Sequence, residues 1–157
     1  MTASAYEMAL RLLEYRARSA AELRRQLLRK GAEASDVDAA LSRLREQKLI
    51  DDEDFALQFA RGRITGAGAS RRRIVQELAR NGIPPDMAGR AIDTLRDDDG
   101  LDPSAGIHRV ARRKWQSLAK VDEFTRKRRL YAFLARRGYD PDEIRAAMQS
   151  IGEDVED

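Results

Sequence analysis

The chain has 157 residues, of which 42% are hydrophobic and 36% charged, and it contains no cysteine. This length suits one compact domain or a short array of small units, and so much charge leaves apolar residues for only a thin core. The lack of cysteine excludes disulfides and thiolate metal sites and fits a reducing compartment. With no signal-peptide pattern and no apolar run of about 20 residues, we expect a soluble, cytoplasmic protein that does not enter a membrane.

Three glycines, Gly31, Gly82 and Gly138, divide the chain into similar segments. Each follows a helical run that ends in basic or polar residues, where a glycine typically adopts positive φ and ends the helix. Aligned on these glycines, the segments share five apolar columns. The columns are Leu23, Ile74 and Leu130; Leu27, Leu78 and Leu134; Val37, Ala88 and Ile144; Leu41, Ile92 and Met148; and Leu44, Leu95 and Ile151. Their spacing places each set on one face of a helix, which predicts a threefold repeat.

A further helix is predicted at the start of each repeat, because the glycines are far enough apart for three helices per copy. Its apolar residues are Tyr6, Leu10 and Leu13, then Phe55, Phe59 and Ile64, and finally Ile107, Val110, Ala111, Trp115 and Leu118. No alternating pattern predicts a strand. We therefore predict an all-α fold, an elongated tandem array of three three-helix repeats with about nine helices. The repeats cover residues 1–50, 51–99 and 102–151, and an acidic tail covers 152–157.

Local signals mark where the predicted helices begin and end. Ser19 and Glu22 fit a capping box, in which hydroxyl and carboxylate both accept from free backbone N–H groups. Ser35 and Ser70 are candidate N-caps, and Asp102-Pro103 fits a cap followed by proline in the first turn. We interpret residues 66–70 as a flexible link and residues 97–100 as a hinge between the second and third repeats.

The charges are distributed unevenly along the chain. Residues 61–80 carry a net charge of +5 and residues 107–138 carry +9, whereas residues 93–102 carry −4 and residues 140–157 carry −6. Arg71, Arg72 and Arg73 fall in the first turn of a predicted helix, where they oppose the helix dipole. The pattern favours a basic face that meets a polyanion or an acidic protein surface. The alternative is an arginine-rich helical protein that solvates its outer faces.

No motif predicts catalysis. His108 is the only histidine and has no second ligand of its kind. Residues 66–70 lack the Gly-Lys-Ser/Thr ending of a nucleotide-binding loop. Asp51–Asp54 precede a helix, where acids favour the positive end of the dipole, so capping explains them better than a metal. We predict no catalytic residue, metal or cofactor, and we expect the protein to act by binding; an enzyme that uses the acidic clusters and a metal is a weaker alternative.

The candidate binding surface consists of two basic groups. They are Arg61, Arg63, Arg71, Arg72 and Arg73 in the second repeat, and Arg112, Arg113, Lys114, Arg126, Lys127, Arg128 and Arg129 in the third. Tyr131, Phe133 and Tyr139 lie near the second group, and basic groups among aromatics suit nucleic acid. Trp115 fits the apolar register and is predicted to be core, so the charges carry this prediction.

The central segment resembles the RecX family, the bacterial regulators of the RecA recombinase. The similar residues are Leu49–Ala56, followed by Phe59, Arg61, Arg63, Gly66 and Gly68, then Ile74, Glu77-Leu78 and Gly82-Ile83. Residues 21–31 also resemble the opening repeat of that family. The resemblance covers roughly residues 8–150 and implies the same threefold, three-helix architecture.

The resemblance also implies a function. A RecX protein is expected to bind the groove of the RecA–single-stranded DNA filament and to reduce its ATP hydrolysis, strand exchange and co-protease activity, in DNA repair and the SOS response. The implied partners are the RecA filament and the single-stranded DNA within or beside it, and we expect a monomer. A stand-alone nucleic-acid-binding helical module remains the alternative, because three-helix units resemble helix-turn-helix domains.

Overall fold

The computed structural model describes residues 3–156, with side chains described through residue 153. Within this range the chain forms nine α-helices and no strand, which confirms the predicted all-α fold. The helices are α1 Ala5–Tyr15, α2 Ala20–Arg29, α3 Ala34–Glu46, α4 Asp52–Gly62, α5 Arg71–Arg80, α6 Pro85–Asp99, α7 Pro103–Ser117, α8 Glu123–Arg136 and α9 Pro141–Glu156. A π-helical turn, Arg63–Ala67, continues α4. The acidic segment 152–157 begins as the last turns of α9, and the side chains from 154 onward lie outside the described residues.

The apolar residues form three separate cores, one for each group of three helices. We call these groups units 1, 2 and 3: α1–α3, α4–α6 with the π turn, and α7–α9. Every residue of the five glycine-aligned columns is buried except Met148, which packs half-buried against the third core. The columns therefore line equivalent core positions in each unit, as a repeat requires.

The three repeat glycines end the second helix of each unit in the same way. Gly31, Gly82 and Gly138 have φ of 92°, 74° and 93°, the left-handed conformation that other residues rarely adopt. The residue after each glycine donates its N–H back across the last turn, as Ile83 does to the Leu78 carbonyl at 3.0 Å. This is the Schellman motif, which satisfies carbonyls that the helix end would leave free.

Units 1 and 2 meet where the C-terminal glycine of α5 packs against the N-terminus of α2. A Cβ on Gly82 would lie 2.3 Å from the Cβ of Ala21, so only glycine fits there. The buried Ser19 donates its hydroxyl to the Asn81 carbonyl at 2.6 Å, and Arg25 donates to the Arg80 carbonyl at 2.8 Å. The free carbonyls at the end of α5 thus find donors on unit 1.

Units 2 and 3 repeat this arrangement one step further along the chain. A Cβ on Gly138, after α8, would lie 3.0 Å from the Ser70 hydroxyl and 3.3 Å from the Arg73 Cβ, both at the N-terminus of α5. Ser70 is therefore the counterpart of Ser19, and the second helices follow one another with each C-terminus against the preceding N-terminus. The same junction thus links both pairs of successive units.

The second helix of unit 3 departs from this pattern at its free end. Helices α2 and α5 have 10 residues each, whereas α8 has 14. Arg126 lies as far before Gly138 as Ser19 and Ser70 lie before Gly31 and Gly82, and α8 begins before it, at Glu123. Helix α8 therefore has an additional N-terminal turn at the position where α2 and α5 contact the glycine of the following unit. This added turn is absent from the second helices of the other two units.

Four local expectations were partly or wholly wrong. Helix α3 begins at Ala34 after Glu33, so Ser35 lies inside its first turn and is not the N-cap. Ser19 does cap α2, accepting from the Glu22 N–H at 3.1 Å. However, the Glu22 carboxylate binds Arg16 and Arg18 instead of completing a capping box, because two guanidinium groups compete better than one backbone N–H.

The predicted flexible link at residues 66–70 and the predicted hinge at residues 97–100 are both largely packed or helical. Gly66 lies in the π turn, while Gly68, Ala69 and Ser70 are buried. Helix α7 packs closely on Gly68, since a Cβ on Gly106 would lie 3.2 Å from the Gly68 Cα. Ala69 belongs to the second core, and Ser70 lies against Gly138. The expected hinge at 97–100 is mostly the last turn of α6. The chain turns only at Gly100, with φ of 66°, and Arg96 and Arg61 bind Asp97 and Asp99 in the last turn of the helix.

Candidate polyanion-binding surface

The basic group of unit 2 extends from the end of α4 through the π turn to the start of α5, and most of it is ion-paired. Arg61 binds Asp99 at 2.8 Å, and Arg71 binds Asp93 at 2.7 Å. Arg72 is exposed and makes no ion pair with any described residue. Local carboxylates therefore hold several of these cations in fixed directions, and the net positive charge is smaller than the sequence alone implies.

Arg71 shows how these pairs work at the helix start. Its hydrogen bond to Asp93 is the main reason why the pKa of that carboxyl lies below its usual value. The carboxylate stays ionised over a wider pH range and offsets part of the unfavourable interaction of Arg71 with the α5 dipole. Ser70 caps the same helix as predicted, accepting from the Arg73 N–H at 3.1 Å.

Three arginines from units 2 and 3 come together at the junction between those units. Arg63, Arg73 and Arg137 line a cavity of about 150 Å³ together with Ala67, Ala69 and Glu77. Glu77 is within 2.7 Å of Arg63 and 3.1 Å of Arg73, and Arg137 donates to the Ala67 carbonyl at 2.9 Å. The cavity is thus lined by three guanidinium groups and one carboxylate, which pairs with two of them. This excess of positive charge in a concave site favours an anion.

Arg137 was missed in the sequence because its role depends on the junction. It stands directly before Gly138, which packs on the N-terminus of α5. The sequence shows that Arg137 precedes a repeat glycine. It does not show that this glycine packs against unit 2, and this contact is what brings Arg137 to the π turn.

Arg126 contacts Trp115 within unit 3 and therefore stabilises the packing of this unit. Its guanidinium lies 3.7 Å above the Trp115 ring and donates to the Trp115 carbonyl at 3.0 and 2.6 Å. Lys114 lies 4.9 Å from the centre of the Phe133 ring. Trp115 itself is half-buried against the third core, in line with its predicted packing role. These two cations fix the ends of α7 and α8 relative to each other.

The remaining candidate cations of unit 3 are exposed on α7 and α8. Arg112 and Arg113 are exposed on α7, and Arg128 and Arg129 are exposed on α8, where Lys127 pairs with Glu123 at 3.2 Å. Arg113, Arg128 and Arg129 make no ion pair with a described residue. The charge of Arg128 helps to lower the pKa of Asp122, although the main cause is the hydrogen bond from the Thr125 backbone to that carboxylate.

The aromatic side chains near this group divide into two classes. Tyr139 is buried and Phe133 is half-buried, both in the third core. Tyr131 is 37% exposed and Phe124 is 76% exposed. Phe124 was not among the sequence candidates. It lies in the additional turn of α8. The five apolar columns of the repeat begin at Leu130 in this unit, so they gave no information on Phe124.

Within the described part of the chain, no group of three or more histidine, cysteine, aspartate or glutamate side chains is placed to hold a metal ion. Among the same residues, no helix has the length and apolar character needed to cross a membrane.

The fold and the surface together define a tandem three-helix-domain protein with basic groups on its second and third domains. Comparison with known families makes this specific. The first, second and third three-helix domains of RecX match residues 5–44, 51–92 and 105–148, respectively. The chain belongs to the RecX family.

Individual relatives agree with this assignment. The chain is 33% identical over 147 residues to the regulatory protein RecX of Pelodictyon phaeoclathratiforme. The aligned region covers 94% of this chain and 88% of the relative. It is 36% identical to that of Amycolatopsis mediterranei, over 86% of this chain and 75% of the relative. The crystal structure of RecX from Lactobacillus salivarius has the same fold, with a TM-score of 0.80 at 19% identity over 94% of each chain.

Proposed function

We propose that this protein regulates a RecA recombinase by binding along the groove of the RecA–single-stranded DNA filament. It would reduce ATP hydrolysis, strand exchange and co-protease action of the filament, and so act in DNA repair and the SOS response from the cytoplasm. The observation that carries the proposal is the series of three RecX domains in one chain, with both basic groups on the second and third of them.

The described surface supports contact with a polyanionic filament. Among the candidate cations, Arg72, Arg113, Arg128 and Arg129 are exposed and have no ion pair with a described residue, so they are available for phosphate or for carboxylates of a protein partner. At the junction, Arg63, Arg73 and Arg137 add a concave cationic site. Many such contacts give binding that weakens as salt is added.

The first test is the ATP hydrolysis rate of the cognate RecA on single-stranded DNA as the protein is added. Inhibition at less than one protein per RecA subunit supports regulation of the filament, because one molecule then affects several subunits. Inhibition only at amounts that coat free DNA favours the stand-alone nucleic-acid-binding module, which the exposed cations of α8 would also permit. Unchanged hydrolysis at every amount contradicts both inhibitory routes.

Charge-reversal variants test the surface itself. Arg128→Glu with Arg129→Glu should abolish most inhibition, whereas Arg11→Glu with Arg45→Glu changes the net charge equally on exposed residues of unit 1 and should leave it intact. Arg126 is excluded from this design because it holds Trp115. Equal inhibition by both variants would place the binding surface elsewhere.

A further inference from the structure

The solvent face of α8 carries two aromatic rings with two cations between them. Phe124 and Tyr131 are seven residues apart, and Lys127 and Arg128 lie three and four residues from each of them. On a helix these four residues share one face, and the rings stand about 10 Å apart along its axis. Both rings and both cations are exposed. Arg128 has no ion pair with a described residue, whereas Lys127 pairs with Glu123 at 3.2 Å and must exchange this carboxylate for a phosphate to bind nucleic acid.

Phe124 has no packing role that explains its position. It is 76% exposed in the additional turn of α8, a turn that α2 and α5 lack. It occupies the second helical position after the N-cap Asp122, so it is not the residue that packs across a helix start as a hydrophobic staple. A single exposed apolar residue is common on protein surfaces, but Phe124 shares its helix face with a second exposed ring, Tyr131, and this pair suits contact with a ligand.

The charges around the rings indicate the kind of ligand. Protein–protein interfaces are depleted of lysine, whereas here Lys127 lies between the two rings. Cations beside exposed rings match single-stranded nucleic acid, in which phosphates and unpaired bases alternate. We propose that Phe124 and Tyr131 stack on unpaired bases of single-stranded DNA while Lys127 and Arg128 contact its phosphates; this rests on the proposed function in that it takes the DNA of the filament as the ligand.

The spacing of the rings makes the proposal quantitative. At about 10 Å apart the rings contact different bases, so their contributions should be independent. Loss of one base–aromatic stack weakens binding about fivefold or more, and loss of both should weaken it about 25-fold or more. Stacking neutralises no phosphate, so the salt dependence of binding should not change.

The test measures binding to oligothymidylate and to an abasic oligonucleotide of the same length, by fluorescence anisotropy without RecA. Phe124→Ala, Tyr131→Ala and the double variant should lose affinity for oligothymidylate by these factors and keep their affinity for the abasic strand. Arg128→Ala should weaken binding to both strands and reduce the salt slope by about 0.7. Tyr15→Ala, which removes an exposed ring from unit 1, is the matched control and should change neither.

Three outcomes overturn the proposal. They are an equal loss on both strands, no loss on either, and no measurable binding of the unaltered protein to oligothymidylate. If the rings contact a protein partner instead, both oligonucleotide affinities stay unchanged while inhibition of RecA falls. The oligonucleotide measurement contains no RecA. It therefore tests the stacking proposal even if the protein proves not to regulate RecA. Circular dichroism confirms that each variant is folded, as expected for substitutions at exposed positions.

Discussion

Replacing Gly82 by alanine should separate units 1 and 2 in a way that can be measured against a control in the same chain. The new Cβ would lie 2.3 Å from the Ala21 Cβ, where carbon atoms ordinarily approach to about 3.5–4.0 Å. The two units must therefore move apart by about 1 Å. Such overpacking costs about 1–3 kcal/mol, and the Ser19–Asn81 hydrogen bond across the junction, about 1 kcal/mol, is strained as well.

Gly31→Ala is the control, because Gly31 occupies the same cap position with φ of 92° and has no atom within 4 Å of the place where its Cβ would lie. Both variants share the cost of a side chain at positive φ, about 1–2 kcal/mol, and both lose unfolded-chain freedom alike. We therefore expect a total loss of about 2–6 kcal/mol for Gly82→Ala and about 1–2 kcal/mol for Gly31→Ala. Gly138→Ala should fall between them, since its nearest neighbours are at 3.0 and 3.3 Å.

The free energy of unfolding is measured by urea denaturation followed by circular dichroism, with the slope compared between variants to confirm the same transition. In a double-mutant cycle, Ala21→Gly should recover most of the excess loss caused by Gly82→Ala, because it removes the carbon that the new Cβ meets. Equal losses at Gly82 and Gly31, or no recovery by Ala21→Gly, would refute the reasoning about the junction.

Three further effects are expected. Asp122→Ala should lower the melting temperature at neutral pH. Its difference from the unaltered protein should shrink as the pH falls through the lowered pKa of Asp122, because the charge-dependent part of this stability is lost on protonation; a difference that stays constant into strong acid would contradict this. Glu22→Ala should cost about 3 kcal/mol, since it leaves the mostly buried Arg18 without its carboxylate, whereas an exposed Glu14→Ala should cost little in the same urea titration. Arg126→Ala should destabilise the protein by about 1–3 kcal/mol and alter Trp115 fluorescence, because it removes the guanidinium above that ring; Lys127→Ala, one residue away, should leave the fluorescence unchanged.

The caps, the helices and the repeat were predictable because their signals are local. Several helix starts have a side-chain oxygen that caps the first turn, as at Ser70 and Asp102, and the repeat glycines such as Gly82 mark helix ends because they adopt positive φ. The apolar columns follow from the helical period alone. Even here a local competitor misled the sequence reasoning, since Glu22 meets two arginines that approach it from outside its own helix turn.

The sequence by itself determined three helical units and the amount of charge on each, because both follow from residues near one another in the chain. Only the tertiary structure decided which charges remain available. Asp93 and Asp99 neutralise Arg71 and Arg61 from another helix, and Arg137 reaches the π turn of the preceding unit. The tertiary structure likewise separated Tyr139, buried in a core, from Phe124, exposed on an added turn. Pairing and exposure depend on which surfaces meet after folding, and residues far apart in sequence give no local signal of that contact.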